Sequence, residues 1–384
     1  MLAVALLTSC RSIPPSAPTG EAATPPGCVA VVSRPLGPRH GTLFGVNLDW
    51  GHEQLSSYAD RLGHHPAVAV SFSVFPFDAE ARVWLVGAVD QARSQGATLL
   101  LTLEPRLGLA AVTPAAAEDL GRTLAKINAG GVPVVVRFAH EMNGSWYAWG
   151  QQPTAYVAAF RRVASAVHRL APGSATMWAP NYGGGYPFAG GRHTAGRGTP
   201  DAALLDTDHN GVVEARDDPY APYWPGDDAV DWVGLSLYHW GTTYPWGANV
   251  LPEPGKFVQQ LTGTYVGPGG DDRAVPDFYA TYGDAHNKPV AIPETAALLN
   301  TSRDTTSALA IKGTWWRQVL DADVPSRFPR LKMINWFEWN KGETEIGTNV
   351  DWTATGDPTV RAAFRAALPD WLVFGTTRSC RSGS

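Results

Sequence analysis

The chain has 384 residues, of which 44% are hydrophobic and 17% charged, and its formal net charge is −5. This composition is typical of a soluble globular protein and excludes a largely disordered chain. The mild negative charge and the lack of a basic stripe argue against nucleic-acid binding and favour a neutral substrate. The length allows one large domain with a well-buried core, or two smaller ones.

The N-terminal segment has features of an export signal. An apolar run over residues 2–7 leads into Leu7-Thr8-Ser9-Cys10, which resembles a bacterial lipobox, the motif whose cysteine is lipidated and becomes the mature N-terminus. The run is too short to span a membrane, and residues 11–27 have the composition of a flexible tether. We therefore expect residues 1–27 to be signal and tether and residues 28–384 to be one domain. The protein is then extracellular, either secreted or anchored by a lipid at the cell surface.

The three cysteines lie at positions 10, 28 and 380, near the two ends of the chain. No CxxC pair or His/Cys cluster indicates a zinc site. Cys28 and Cys380 flank the folded region, and in an exported protein they are expected to form a disulfide that joins its ends. The alternative is two independent thiols.

Eight apolar segments rich in strand-forming residues follow along the chain. Several are continuous apolar runs, such as Val134-Val135-Val136, which are typical of parallel strands buried on both faces. The eight segments are Thr42–Trp50, Ala67–Phe75, Thr98–Glu104, Pro133–His140, Thr176–Asn181, Val230–Tyr238, Pro289–Thr295 and Leu331–Trp339.

Amphipathic helical stretches lie between these segments. They are Glu80–Gln95, Pro114–Ala129, Thr154–Leu170, Thr305–Leu320 and Pro358–Leu368. The alternation predicts a single (β/α)8 barrel. An open doubly wound sheet is the alternative, and it is disfavoured because no glycine-rich phosphate turn follows the first strand. The connection after the fifth strand, residues 182–228, is a long insertion of the kind that is usually functional.

Two glutamates follow strands that are expected to face each other across the barrel. Active sites of this fold lie at the carboxyl ends of the strands; the fourth strand runs into Glu141 and the seventh into Glu294. Glycoside hydrolysis requires such a pair, because one acid protonates the leaving oxygen while the other attacks the anomeric carbon or activates water. A separation of about 5–5.5 Å, the spacing of retaining enzymes, is plausible between these strands.

Other strand ends add polar and aromatic residues, and the chain has fifteen Trp and twelve Tyr in all. Aromatic faces with a few hydrogen-bonding groups are typical of sugar clefts, whereas core packing is the alternative for any one ring. We expect Trp178, Tyr238 and Trp336 to contact sugar. The full set of strand-end residues is Asn47, Asp49, Trp50, Glu104, Trp178, Asn181, Tyr238, His239, Trp240, Trp336, Glu338 and Trp339.

His140 and Arg137 accompany Glu141 on the fourth strand. His140 either bonds a sugar hydroxyl and tunes Glu141, which we favour, or fixes the strand end. Arg137 points away from His140 in the strand alternation, so it is expected to form an ion pair inside the barrel mouth, where it would keep Glu294 ionised.

The long fifth connection contains a calcium-loop motif. Residues 206–217 match the pattern D-x-[DN]-x-[DN]-G-x5-E, except that an aspartate stands at the twelfth position. The match predicts a structural calcium site that stiffens the loop; an acidic surface loop without metal is the alternative. Its oxygen ligands would come from Asp206, Asp208, Asn210, Val212, Glu214 and Asp217.

Residues 137–150, Arg-Phe-Ala-His-Glu-Met-Asn-Gly-Ser-Trp-Tyr-Ala-Trp-Gly, resemble the acid/base segment of glycoside hydrolase family 26. Trp178-Ala179-Pro180-Asn181 and residues 230–238 resemble the fifth and sixth strands of the family, and Pro293-Glu294-Thr295-Ala296 stands at its nucleophile. The resemblance spans about residues 42–345. Pro293 and Ala296 depart from the small glycines of the family, and the calcium-like loop is not a general family feature.

The resemblance implies a retaining endo-glycosidase with Glu141 as acid/base, its pKa raised, and Glu294 as nucleophile. It implies a β-linked polysaccharide as substrate, first β-1,4-mannan, with β-1,3-xylan and mixed-linkage β-glucan as alternatives. No catalytic cofactor is expected, membrane contact is expected only through the N-terminal lipid, and the protein is expected to be a monomer. A surface carbohydrate-binding lipoprotein without catalysis is the alternative from another class. The expected substrate-binding residues are His140, Asn143, Trp146, Trp149, Trp178, Asn181, Tyr238 and Trp336.

Overall fold

Eight parallel strands close into a barrel in the computed structural model, which describes residues 32–376. Each strand pairs with the next in the chain, and the eighth pairs with the first over residues 43–48. The predicted (β/α)8 barrel is thus confirmed. Cys10, Cys28 and Cys380 lie outside the described residues, so the lipid anchor and the disulfide stay predictions. The strands are β1 Thr42–Leu48, β2 Val68–Val74, β3 Thr98–Glu104, β4 Val134–Phe138, β5 Ser174–Trp178, β6 Trp232–Gly234, β7 Val290–Thr295 and β8 Leu331–Glu338.

Helices cover the outside of the barrel. They are α1 Leu55–Leu62, α2 Ala79–Gln95, α3 Pro114–Ala129, α4 Pro153–Leu170, α5 Pro200–Leu205, α6 Lys256–Leu261, α7 Ala308–Val319, α8 Val324–Arg327 and α9 Pro358–Ala366. The side chains of Asp78 and Thr113 cap α2 and α3 by accepting from backbone amides. Within residues 32–376, no helix has the length and apolarity to cross a bilayer.

Three further strands follow β8 within the described residues. A hairpin of β9 (Asn340–Glu343) and β10 (Thr348–Asp351) follows β8, and β11 (Leu372–Val373) pairs with the start of β1. The hairpin lies at the carboxyl end of β8, so it borders the barrel mouth, where the predicted catalytic residues lie.

The strand alternation divides the core into two layers. An inner layer fills the barrel with residues such as Val70, Leu100 and Met177, and a larger outer layer packs between strands and helices. Because side chains alternate along a strand, each strand-end residue faces either the mouth or the helices. Arg137 is paired in register with the inner-layer Met177 and therefore faces inward.

The sixth strand is shorter than predicted. Only Trp232–Gly234 is regular, although the sequence pattern runs over residues 230–238. The side chain of Asp231 accepts from the backbone amide of Thr176 at 2.9 Å and takes the place of a ladder bond. Beyond Gly234, isolated bridges of Ser236 and His239 carry the chain on toward the mouth.

Candidate active site

Glu294, at the end of β7, is held by two side chains. Its Oε1 pairs with the guanidinium of Arg137, and its Oε2 accepts a hydrogen bond from the Tyr238 hydroxyl at 2.7 Å. Arg137 is fully buried, and its other terminal nitrogen donates to Ser236 Oγ at 2.8 Å. The predicted ion pair of Arg137 is therefore present. The pair places a negative charge at a fixed point of the barrel mouth, with a cation beneath it.

Glu141 stands above β4 on a backbone that turns sharply. Ala139 and Glu141 have positive φ angles of 47° and 54°, a region that non-glycine residues rarely adopt. The Glu141 amide donates to the carbonyl of Ala179 at 2.9 Å, which fixes the turn against the neighbouring strand end. Trp146 Nε1 donates to Glu141 Oε2 at 3.3 Å. Strain of this kind is typical of functional positions.

The environments of the two carboxyl groups differ. Burial and the nearby charge of Glu294 raise the pKa of Glu141 from 4.5 to about 7, while Arg137, Ser236 and Trp146 oppose this increase. Glu294, by contrast, has the direct contacts to a cation and a phenol. Near neutral pH the pair can therefore hold one proton, on Glu141, which is the arrangement that acid–base chemistry requires.

His140 is buried behind Glu141. Burial, with a contribution from the charge of Arg137, lowers its pKa well below 6.5, so the ring is neutral. The ring packs against Tyr147 at 5.0 Å and Phe72 at 5.5 Å between centroids. The His140 carbonyl accepts from Trp149 Nε1 at 2.7 Å, and Trp149 stacks on Tyr147 at 4.4 Å. Trp149 is only 2% exposed, so it supports the site from behind.

Asn143 and Asn181 join the loops after β4 and β5. The Asn143 amide donates to the Asn181 carbonyl and accepts from the Asn181 backbone amide, both at 2.8 Å. Asn143 is fully buried. Both ends of its amide are engaged, so its role in this arrangement is to position the loop; the Asn181 side chain, which is partly buried, remains a substrate-binding candidate.

The interpretation of Trp178 and Trp336 as sugar-stacking residues is wrong. Both are fully buried in the outer layer: Trp178 stacks on Phe278 at 5.9 Å, and Trp336 packs against Phe364 of α9 at 5.0 Å. The alternation of side chains along a strand explains the burial of Trp178. Met177 is paired with Arg137 and faces the barrel interior, so the next residue, Trp178, faces the helices.

Other aromatic residues take their place at the mouth. Phe337 follows Trp336 and is paired with Asn47, and its ring lies 5.8 Å from both Tyr238 and Trp339. Trp146 is 38% exposed beside Glu141, so this predicted substrate-binding tryptophan is accessible to a ligand. Ser236, Tyr147 and Phe337 were not singled out from the sequence, although a period-two count from Tyr238 would have found Ser236.

The calcium-like loop lies in the connection that follows α5. Carboxylate oxygens of Asp206, Asp208 and Asp217 lie within 4.8 Å of one another. Asp206 accepts from the amides of Asn210 and Gly211, and Gly211 has a φ of 90°, as the sharp turn of such a loop requires. The donor set consists of hard oxygens and fits calcium.

One comparison with known proteins matches the segment around Glu141. The sequence model of Glycosyl hydrolase family 26 matches residues 110–172, the segment that contains β4 and Glu141. The predicted resemblance to this family is thereby confirmed. The chain is also 24% identical over 296 residues to Endoglucanase H of Acetivibrio thermocellus, a match that covers 74% of this chain but 26% of that protein.

Solved structures share the fold. A modular endo-β-1,4-mannanase from Cellulomonas fimi superimposes with a TM-score of 0.56 at 17% identity, covering 92% of this chain and 79% of that chain. The catalytic domain of an endo-β-1,4-mannanase from Bacillus sp. JAMB-750 gives 0.53 at 16% identity, with 88% and 89% covered. At these identities the similarity establishes the barrel fold alone.

Proposed function

We propose that this protein is a retaining endo-glycoside hydrolase that cleaves a β-linked polysaccharide through a covalent glycosyl-enzyme. The observation that carries the proposal is the unequal pair: Glu141 with a pKa of about 7 beside Glu294 held by Arg137 and Tyr238. A protein that only binds carbohydrate gains nothing from a carboxyl group that is half protonated near neutral pH, so the non-catalytic alternative is disfavoured.

The two carboxyl groups act in two steps. In the first, a Glu294 oxygen forms a bond to the anomeric carbon while the glycosidic C–O bond breaks, and Glu141 gives its proton to the departing oxygen. In the second, Glu141 takes a proton from water, whose oxygen replaces Glu294 on the anomeric carbon. Glu141 is then protonated and Glu294 is an anion again. The Tyr238 hydroxyl and Arg137 keep Glu294 oriented between turnovers.

β-1,4-Mannan is the first substrate to test. The commonest activity of family 26 and the two mannanases of the same fold support it. A β-glucan is the second candidate, favoured by the similarity to a protein named an endoglucanase. β-1,3-Xylan is the remaining alternative.

The test is reducing-sugar release from galactomannan, glucomannan, mixed-linkage β-glucan and β-1,3-xylan by the wild type, Glu294→Ala and Glu141→Ala. Glu118→Gln, on the exposed face of α3, serves as the matched carboxylate control. We expect one glycan to be cleaved by the wild type and control but by neither active-site variant. On a 2,4-dinitrophenyl β-glycoside, whose leaving group departs without a proton, azide should restore turnover of Glu141→Ala with the glycosyl azide as product, because azide attacks the glycosyl-enzyme without the help of a base. A folded wild type inactive on all four glycans would contradict the proposal.

We further propose that residues 206–217 bind a structural calcium ion. Asp206 and Asp217 are buried, and Asp208 completes a set of carboxylates with the spacing of a cation site. The ion would stiffen the loop after α5 and takes no part in the reaction.

We also propose that the protein acts outside the cell. Extracellular polysaccharide is too large to enter a cell, so the proposed substrate fits an exported enzyme that is either secreted or held at the membrane by a lipid on Cys10. Mass spectrometry of the membrane fraction tests the lipid anchor: a diacylglyceryl-modified Cys10 is expected, and an intact, unmodified Cys10 would contradict the anchor.

A further inference from the structure

Glu104 is a buried carboxylate at the barrel mouth that the proposed mechanism does not use. It ends β3 and shares the inner face with Leu100 and Thr102; Thr102 is paired in register with Arg137. Glu104 therefore lies one step further along the barrel axis than Arg137, toward the carboxyl ends of the strands. Its side chain is 9% exposed. This places it in the layer from which the catalytic glutamates project.

One oxygen of Glu104 is occupied and the other is free. Arg106 Nε and a terminal Arg106 nitrogen both donate to Oε2, at 2.9 and 2.5 Å. Among residues 32–376, no side chain or amide donates to Oε1, and this atom is not fully enclosed. A carboxylate held on one oxygen, with the other open at a cleft, is arranged to accept a hydrogen bond from a ligand.

Tyr147 lies close to Glu141, because its ring packs against His140 and against Trp146, whose indole nitrogen donates to Glu141. Its ring is fixed between Trp149, at 4.4 Å, and His140, at 5.0 Å, while its hydroxyl donates to no acceptor within the described residues. Burial, followed by the negative charges of Glu141, Glu294 and Glu104, raises the pKa of Tyr147 well above 10. The phenol is therefore a permanent donor near all three carboxylates.

We propose that Glu104 is a specificity-determining residue: its free oxygen accepts a hydrogen bond from a hydroxyl group of the sugar beside Glu141, and the Tyr147 hydroxyl binds the same sugar. The inference rests on the proposed function. Glu104 takes no proton in the reaction, and its contribution is to position the ring. A carboxylate here favours glycans with a free hydroxyl at that position and disfavours those with a carboxylate or an ester.

The alternative is that Glu104 has only a structural role and stabilises the protein through its ion pair with Arg106. The Arg106 side chain is 64% exposed, and ion pairs to exposed partners stabilise proteins little. The two roles therefore separate by comparing Glu104→Gln with Arg106→Gln, since only the first alters the oxygen that faces the cleft.

The experiment measures kcat and KM on β-1,4-mannohexaose, or on the mixed-linkage β-glucan oligosaccharide if that glycan is the one cleaved. We expect Glu104→Gln to lower kcat/KM about 10- to 100-fold, the effect of weakening a hydrogen bond to a charged acceptor. Arg106→Gln should change it by less than about 3-fold, and the control Glu118→Gln should not change it. Melting temperatures check that the variants are folded.

Tyr147→Phe and the double variant provide an independent measurement. Two groups that bind one sugar give effects that are less than additive when both are removed. If Glu104→Gln fails to fold, a Tyr147→Phe enzyme with unchanged KM and kcat is sufficient to overturn the proposal.

The outcomes separate this inference from the proposed function. A wild type that cleaves the oligosaccharide while Glu104→Gln matches it within about 2-fold overturns the role of Glu104 alone. An equal loss in Arg106→Gln and Glu104→Gln overturns it as well, in favour of the structural ion pair. A wild type that neither cleaves nor, in calorimetric titration, binds the oligosaccharides overturns the proposed function and this inference together.

Discussion

Tyr238 and Glu294 form a 2.7 Å hydrogen bond across the barrel mouth, from the phenol to Oε2 of the carboxylate. Arg137 occupies the other carboxylate oxygen, so the contacts come from two different strand ends. Glu294 is thereby oriented from two sides. Its position depends on Tyr238, which the sequence places just beyond β6, and on Arg137 inside the barrel.

Replacing Tyr238 by Phe removes this hydrogen bond but keeps the ring. We expect kcat to fall about 10- to 100-fold, because a charge-assisted hydrogen bond that orients the nucleophile is lost. The ring contacts with Phe337 and Trp352 remain, so the melting temperature should change little. Steady-state kinetics and a thermal melt give both values. An unchanged kcat would show that the Tyr238 hydroxyl does not contribute to the reaction.

The pH profile of kcat/KM should have an alkaline limb set by Glu141. The group must be protonated for the first step, and its pKa is about 7. Activity should therefore decrease as the pH rises through about 7. Trp146 lowers this pKa through its hydrogen bond, so Trp146→Phe should move the limb to higher pH. A limb that is absent, or that moves to lower pH, would contradict the assignment of Glu141.

The same shift makes stability depend on pH. Between 4.5 and about 7, the folded protein holds a proton on Glu141 that the unfolded chain releases. The free energy of unfolding should therefore fall as the pH rises through this window. Glu141→Gln cannot ionise and should lose this dependence, so its advantage in melting temperature over the wild type should be larger at about pH 8 than at about pH 4.

Breaking the buried pair of Arg137 and Glu294 should cost stability. Arg137→Met leaves the Glu294 carboxylate without its cation, and removing one partner of a buried pair typically costs about 3–5 kcal/mol. The surface change Arg82→Met, which removes a half-exposed ion pair with Asp119, should cost less than about 1 kcal/mol. Urea denaturation of both variants measures the difference, and equal costs would contradict the buried pair.

Substitution of Trp336 should affect mainly stability, whereas substitution of Trp146 should affect mainly the kinetics. Trp336→Ala should lower the free energy of unfolding by about 3–5 kcal/mol and leave KM unchanged in the folded fraction, since the ring is buried against α9. Trp146→Ala, at a 38% exposed position, should raise KM or lower kcat with a smaller loss of stability. Steady-state kinetics of Trp336→Ala at low temperature test the burial of the ring. A selective rise in the KM of this variant would instead indicate that Trp336 contacts the sugar.

Calcium should stabilise the protein without entering the reaction. Chelation with EGTA should lower the melting temperature, and added calcium should restore it, because a ligand that binds only the folded state stabilises it. Asp206→Asn should remove the response to calcium while keeping kcat of the folded enzyme. An identical melting temperature with and without chelator would show that the carboxylates of Asp206, Asp208 and Asp217 hold no ion.

The sequence was informative where local patterns decide the structure. The bounds of β3 and α3 agree with the prediction, because an apolar run and the Thr113 cap with Pro114 define them locally. Strand ends also located Glu141 and Glu294, since the fold places its chemistry there. These are features that a single segment specifies without knowledge of its neighbours.

Other features depend on partners distant in the chain. Trp178 and Trp336 were assigned to the cleft because they end strands, but their facing follows from register with β4 and β1. At the start of β6, the side chain of Asp231 accepts from the backbone amide of Thr176, a contact across 55 residues. The role of the Ser236 hydroxyl could not be predicted from its own segment, because it depends on the contact with Arg137. The proposed role of the free Glu104 oxygen likewise depends on residues of another strand end.

The covalent step is tested most directly by trapping it. A 2-deoxy-2-fluoro β-glycosyl fluoride of the cleaved glycan slows breakdown of the intermediate, and peptide mass spectrometry then locates the sugar. We expect one sugar equivalent on the peptide containing Glu294 and none on Glu294→Ala. A label on another residue, or no label together with products of inverted anomeric configuration, would contradict the assignment of Glu294 as nucleophile.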